Sequence, residues 1–92
     1  MSARWLLDGE VLLSWKPGRG SAAQSTLQFT VEYRTVGQWV PLIEQVHNTS
    51  YVWKTASRRA TYHFRVLQVV EAGSTSVRSR PSSAVKLLPG GL

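Results

Sequence analysis

The sequence predicts an all-β antiparallel sandwich of seven strands, on three observations. Short runs in which apolar and polar residues alternate recur along the chain, as strands with one buried face require. Turn-forming residues break these runs at intervals of about 8–12 residues, the rhythm of a sandwich. No gap is long or helical enough to carry the crossover that a parallel sheet needs. The 92 residues fit one domain, and 42% hydrophobic against 17% charged residues can fill one core.

In chain order, Trp5-Leu6-Leu7 reads as a short first strand, closed by the tight-turn pair Asp8-Gly9. Val11, Leu13 and Trp15 then alternate with Leu12 and Ser14. Lys16 to Ser25, with Pro17, Gly18 and Gly20, reads as a loop. Phe29, Val31 and Tyr33 alternate with Thr30, Glu32 and Arg34. After the turn Thr35-Val36-Gly37, the stretch Trp39 to Ile43 holds Pro41, which cannot donate to a ladder and so marks a sheet edge. A polar break from Glu44 to Thr49 precedes Tyr51-Val52-Trp53, and Thr55 to Arg59 is a further turn. Tyr62, Phe64 and Val66 open the longest strand, to about Val70. Ala72-Gly73-Ser74 turns the chain into a last strand from Arg78 to Leu87, with Pro81 tolerated at an edge. These bounds give a domain over 4–88 and a linker over 89–92, with no internal repeat.

Several motifs in this order carry a resemblance. Ser14-Trp15-Lys16-Pro17 ends one strand; Phe29, Val31 and Tyr33 mark the next; Trp39 follows a turn; and Thr61-Tyr62-His63-Phe64-Arg65-Val66 is followed by Gly73 and Ser79. Together they resemble the fibronectin type III family from about residue 4 to residue 87. The resemblance implies a seven-stranded immunoglobulin-like β-sandwich, with Trp15 in its core and Tyr62 as a corner residue whose hydroxyl bonds nearby backbone. The Leu and Pro that the family places before that tyrosine are Ala56 and Arg58 here. That substitution leaves the corner underfilled unless Trp53 covers it.

The chemistry available narrows function by exclusion. Two His, five carboxylates and no Cys are thin material for catalysis, and neither His47 nor His63 has a partner at metal-ligand spacing. The reading is therefore non-enzymatic and without a cofactor. No apolar run approaches the roughly 20 residues of a membrane helix, and Met1 to Asp8 is too short for a signal peptide, so a domain cut from a longer secreted chain is expected. Integrin recognition is not expected: the turn Ala72 to Val77 lacks Arg-Gly-Asp, and Gly18-Arg19-Gly20-Ser21 lacks the carboxylate. No Trp-Ser-x-Trp-Ser box is present, which argues against a haematopoietic receptor.

Three candidate sites remain. Asn48-Thr49-Ser50 satisfies the N-glycosylation rule in a polar turn, which makes Asn48 a candidate glycan acceptor and the chain's clue to an extracellular setting. Leu67 and Val69 should lie on the solvent side of the Tyr62 strand, two neighbouring apolar residues that would serve a protein partner or adjacent domain. Arg65, Arg78 and Arg80 form a candidate basic patch for heparan sulfate on a chain of net charge +6, with Arg65 facing Glu32 across the sheet. A nucleic-acid platform is not evident. The resemblance implies a non-catalytic interaction and spacer module of an extracellular receptor or adhesion protein, monomeric in isolation. The alternatives are an intracellular structural module of a scaffold or muscle protein, and a heparan-sulfate-binding module.

Overall fold

The computed structural model describes residues 1–16, 27–72, 75–78 and 81–90. Among these residues eight strand segments form two antiparallel sheets. Strands β1 (Ser2–Trp5), β2 (Val11–Ser14) and β5 (Ser50–Trp53) make a three-stranded sheet in the order β1-β2-β5. Strands β3 (Leu27–Arg34), β4 (Val40–Val46), β6 (Tyr62–Ala72) and β7 (Thr75–Arg78) make the second sheet in the order β4-β3-β6-β7, and β8 (Val85–Leu87) also pairs with β6. Because β7 and β8 lie along one side of β6, the segments fill seven strand positions. This is an immunoglobulin-like sandwich of the fibronectin type III arrangement.

The alternation read from sequence is what the sandwich buries. Val11, Leu13 and Trp15 point inward from one sheet. Phe29, Val31, Tyr62, Phe64 and Val66 meet them from the other. At about 25 cal/mol per Å² of apolar surface, this two-sided burial is the main stabilising term of the fold.

Each end of the core is closed by a different tryptophan. Trp53 stacks edge-on against Tyr62, with ring centroids 4.9 Å apart. It thereby fills the corner that Ala56 leaves open. The Tyr62 hydroxyl accepts a 2.8 Å hydrogen bond from the Ser57 N–H, so the corner forms as the resemblance implied. At the opposite end Trp15 packs edge-on against Phe29 at 5.8 Å.

Four expectations are corrected. First, β1 ends at Trp5; Leu6 to Glu10 are a turn, closed by Leu6 N–H to Glu10 O at 2.7 Å and Gly9 N–H to Leu6 O at 3.1 Å. Gly9 takes φ 88°, which a side chain would strain. Second, the strand expected over Trp39 to Ile43 is β4, Val40–Val46. It runs through polar Glu44 and Gln45 because its pairing with β3 shifts register between Phe29 and Glu32, a bulge that places Gln45 at φ 59°.

Third, the single last strand is two. Between the pairs Phe64↔Val85 and Val69↔Arg78, β6 advances fewer residues than the chain beside it, so two extra residues loop out. Pro81 lies in this gap, where its missing N–H cannot serve the ladder. Ser82 restores the pairing: its N–H donates to Val66 O at 2.9 Å, and its hydroxyl accepts from the Val66 N–H at 3.0 Å.

Fourth, Leu67 is not exposed. It sits on the outer side of β6, opposite Thr30, as the alternation required. Yet it is only 7% exposed, and Thr30 beside it only 5%. Being outside the core cluster does not make it open to solvent. Val69, two residues on, is half-buried.

Candidate interaction surface

The outer face of the five-stranded sheet is built as cross-strand rows, since directly paired residues share a face. Glu32 pairs with Arg65, and their side chains make an ion pair with Arg65 Nε donating to Glu32 Oε1 at 2.7 Å. This is the pairing the sequence anticipated. The Arg65 guanidinium also lies over the Trp39 ring, 4.3 Å from its centroid, and Arg34 lies over the same ring at 4.7 Å. A cation held over an aromatic face gains about 0.5–1 kcal/mol at an exposed site. Trp39 is thus kept half-buried on a sheet edge by two charged groups rather than by the core.

The next row is Arg34, His63 and Lys86, paired directly across β3, β6 and β8. His63 Nδ1 is buried there without a hydrogen-bond partner among the described residues. Sequence reading missed this row because it took the last strand as continuous: the chain between Arg78 and Val85 is two residues longer than the β6 stretch beside it, which keeps the alternation but shifts which residue lies opposite His63. The signal available was Pro81 itself. Arg34 over Trp39 was also missed, since a turn separates them and nothing in the strand pattern predicts how that turn folds.

The expected patch of Arg65, Arg78 and Arg80 is placed in part. Arg78 is exposed and pairs with Val69 on this same face. Along β6 that is four residues from Arg65, about 13 Å at the strand rise. Arg65 is engaged by Glu32 and Trp39. Arg80 lies outside the described residues, as do Pro17, Gly18, Arg19, Gly20 and Ser21 of the expected loop.

Asn48 is exposed in the turn between β4 and β5, with Thr49 and Ser50 exposed beside it. The turn is anchored because Thr49 O accepts the Trp15 N–H at 2.9 Å. The asparagine side chain is therefore presented from a fixed backbone. An open groove of about 550 Å³ lies between the free edges of β4 and β5, lined by Tyr33, Leu42, Tyr51, Trp53 and Lys54 among others.

The β1–β2 turn is tied to distant chain. Arg58 Nη2 donates to Leu7 O at 2.9 Å, and Arg58 O accepts the Gly90 N–H at 2.8 Å. Trp5 Nε1 donates to Leu88 O at 2.8 Å. A Cβ on Gly90 would lie 2.9 Å from the Trp5 ring, so only glycine fits there without a shift. Within the turn, the Glu10 N–H donates to Asp8 Oδ1 at 3.2 Å. That backbone hydrogen bond holds the Asp8 carboxyl below its ordinary pKa, while the side-chain hydrogen bond to Asp8 pushes Glu10 up.

Among the described residues no group of three or more His, Asp or Glu side chains could hold a metal ion. No helix among them is long and apolar enough to cross a membrane.

No family model matches the chain. It is 35% identical over 82 residues to Pikachurin of Bos taurus, covering 86% of this chain and 8% of that protein. It is 30% identical over 87 residues to Pikachurin of Rattus norvegicus, covering 91% and 9%. To Striated muscle preferentially expressed protein kinase of Danio rerio it is 32% identical over 87 residues, covering 88% and 3%. The chain therefore spans less than a tenth of the length of each of these relatives.

Proposed function

We propose that this domain is a non-catalytic protein–protein interaction and spacer module of an extracellular cell-surface receptor or adhesion protein. The observation that carries the reading is the path of the chain through an elongated body of 47 × 26 × 20 Å. β1 begins at the Trp15 end, where Ser2 pairs with Ser14; β8 leaves at the Tyr62 end, where Leu87 pairs with Tyr62. Neighbours attached before and after it are then held apart rather than side by side. Similarity to small fractions of much longer proteins supports the same reading. The outer face with Arg34, Trp39, Arg65 and Lys86 supplies the contact surface.

Spacing is tested by placing the domain between two rigid reporter domains and measuring their separation by small-angle scattering. An increase approaching the 47 Å long axis is expected; no increase would sink the spacer role. The extracellular setting rests on Asn48. Secreted from mammalian cells, the domain should carry a glycan that enzymatic removal and Asn48→Gln both eliminate. Full-length material without glycan favours the second reading, an intracellular structural module, which the likeness to the striated-muscle kinase supports. The third reading, heparan sulfate binding through Arg65, Arg78 and Arg80, requires retention on heparin at moderate salt that Arg78→Ala weakens.

A further inference from the structure

A sheet edge presents backbone groups with no partner, and proteins blunt such edges with charge, proline, bulges or cover. Three of the four edges among the described residues are blunted in this way. β4 carries Pro41 and the bulge at Gln45. The β7–β8 edge is interrupted at Pro81 and bears Arg78 and Lys86. β1 holds Arg4 and lies against β8. β5 has none of these devices: Ser50-Tyr51-Val52-Trp53 pairs with β2 in unbroken register and contains neither charge nor proline. Its one protection is its length of four residues.

The ladder decides which β5 groups are free. The Trp15 N–H donates to Thr49 O, so these two residues form a hydrogen-bonded pair. Such pairs alternate with non-bonded ones along an antiparallel ladder. With Leu13 opposite Tyr51 and Val11 opposite Trp53, the backbone groups of Tyr51 and Trp53 turn toward β2. Those of Ser50 and Val52 turn away from it, on the side where the groove to β4 opens, and Val52 lines that groove. The groove has half-buried Tyr51 on one wall and half-buried Tyr33 and Leu42 on the other. Exposed Lys54 lines it beyond Trp53. Exposed Glu44 lies nearer the opposite end of β4, where Val46 pairs with Phe29.

We propose that the β5 edge docks an extended acidic segment of a partner protein, which joins the three-stranded sheet by backbone pairing with Ser50 and Val52. The inference rests on the protein–protein interaction reading and names the partner's chemistry. Strand addition draws affinity from main-chain hydrogen bonds and specificity from alternate side chains. A strand added beside β5 turns every second side chain into the groove. There it meets Tyr51 and Leu42, which call for apolar residues at those positions. Lys54 calls for a carboxylate at one end of the segment, and Glu44 disfavours one at the other. A second copy of this chain would offer the same edge, but each copy carries a net charge of +6, which opposes self-pairing. With two outward-facing residues, the edge makes a reversible contact.

The probes are two synthetic peptides that alternate Val with Thr, one with Asp-Asp at its N-terminus and one with Asp-Asp at its C-terminus. The two orders cover antiparallel and parallel addition, and amide exchange of the 92-residue chain is followed by NMR. At ~1 mM peptide, one of them should slow the Ser50 and Val52 amides at least ~10-fold. Tyr51 and Trp53, already bonded to β2, should not change. Lys-Lys in place of Asp-Asp should bind at least ~10-fold more weakly. Val52→Pro removes the outward N–H without touching the β2 ladder and should abolish the protection. Lys54→Glu, at an exposed position, should weaken the acidic peptide at least ~10-fold, which keeps the test decisive if the proline variant does not fold. Failure of both peptides to protect Ser50 and Val52 overturns the proposal. So does slowing that rises with protein concentration in the absence of peptide, which would mean a second copy. Shifts confined to the face of Arg34, Trp39 and Arg65 remove the edge and leave the interaction reading standing. The scattering test of the spacer is independent of either result.

Discussion

Trp53 and Trp15 close opposite ends of one core with nearly equal burial, 9% and 5% exposed, yet they are not equivalent. Trp53 packs against Tyr33 at 5.0 Å, Tyr62 at 4.9 Å and Phe64 at 5.9 Å, and its indole N–H donates to Thr55 Oγ1 at 2.9 Å. Among the described residues Trp15 makes one such ring contact, with Phe29, and its indole nitrogen is buried with no hydrogen-bond partner. Burial alone would rate the two ends alike. A buried N–H without a partner costs about 1–3 kcal/mol, so the Trp53 end should hold the fold more strongly.

The comparison breaks most visibly at Phe64, which is fully buried between Trp53 and Tyr62. Phe64→Ala should destabilise by about 3–5 kcal/mol in chemical denaturation. The paired test is Trp53→Phe against Trp15→Phe. Both lose similar ring area, but only the first loses a satisfied hydrogen bond, while the second removes an unsatisfied donor. Trp53→Phe should cost at least ~1 kcal/mol more than Trp15→Phe. Equal costs would show that ring volume, and not polar satisfaction, separates the two ends.

Tyr62→Phe probes the same end more gently. It keeps the ring and removes the bond to the Ser57 N–H, for about 1 kcal/mol. This end was also the more legible in sequence. The resemblance left the corner underfilled at Ala56 unless Trp53 covered it, and Trp53 does, 4.9 Å from the Tyr62 ring. The Trp15 end was legible only as far as the inward direction of Trp15. Whether its N–H finds a partner depends on the fold of neighbouring turns, and no periodicity encodes that. Leu67 failed for a related reason: alternation assigns a side of the strand, whereas exposure depends on the neighbours on that side. The two extra residues before β8 were hidden because a looped-out pair leaves the apolar pattern on either side intact.

Outside the core, the Glu32–Arg65 pair offers a contrast in kind. Its side chains are 12% and 25% exposed, so water screens it in part. Glu32→Gln should cost no more than ~1 kcal/mol, and the loss should shrink between low and high salt. The Phe64 and Tyr62 variants should show no such salt dependence. A salt-independent loss at Glu32 would mean that the carboxylate mainly positions Arg65 over Trp39.

The smallest effect lies in the β1–β2 turn, where the carboxyls of Asp8 and Glu10 oppose one another. Asp8 is held low mainly by the Glu10 N–H, so it adds stability above its unfolded value that is lost as pH falls through its folded value. Glu10 is pushed up by its side-chain bond to Asp8, so it adds stability below its unfolded value that is lost as pH rises through its folded value. The two contributions run in opposite directions across the carboxylate range, and global stability should change little there on their account. The titrations themselves should still separate, Asp8 below its ordinary value and Glu10 above, when followed by carboxyl NMR. Asp8→Asn keeps an acceptor for the Glu10 N–H and removes the charge, so Glu10 should return toward its ordinary value. If Glu10 stays high in that variant, its shift comes from burial in the turn rather than from Asp8. The turn would then resemble the Trp15 end, where an environment and not a partner sets the behaviour of a polar group.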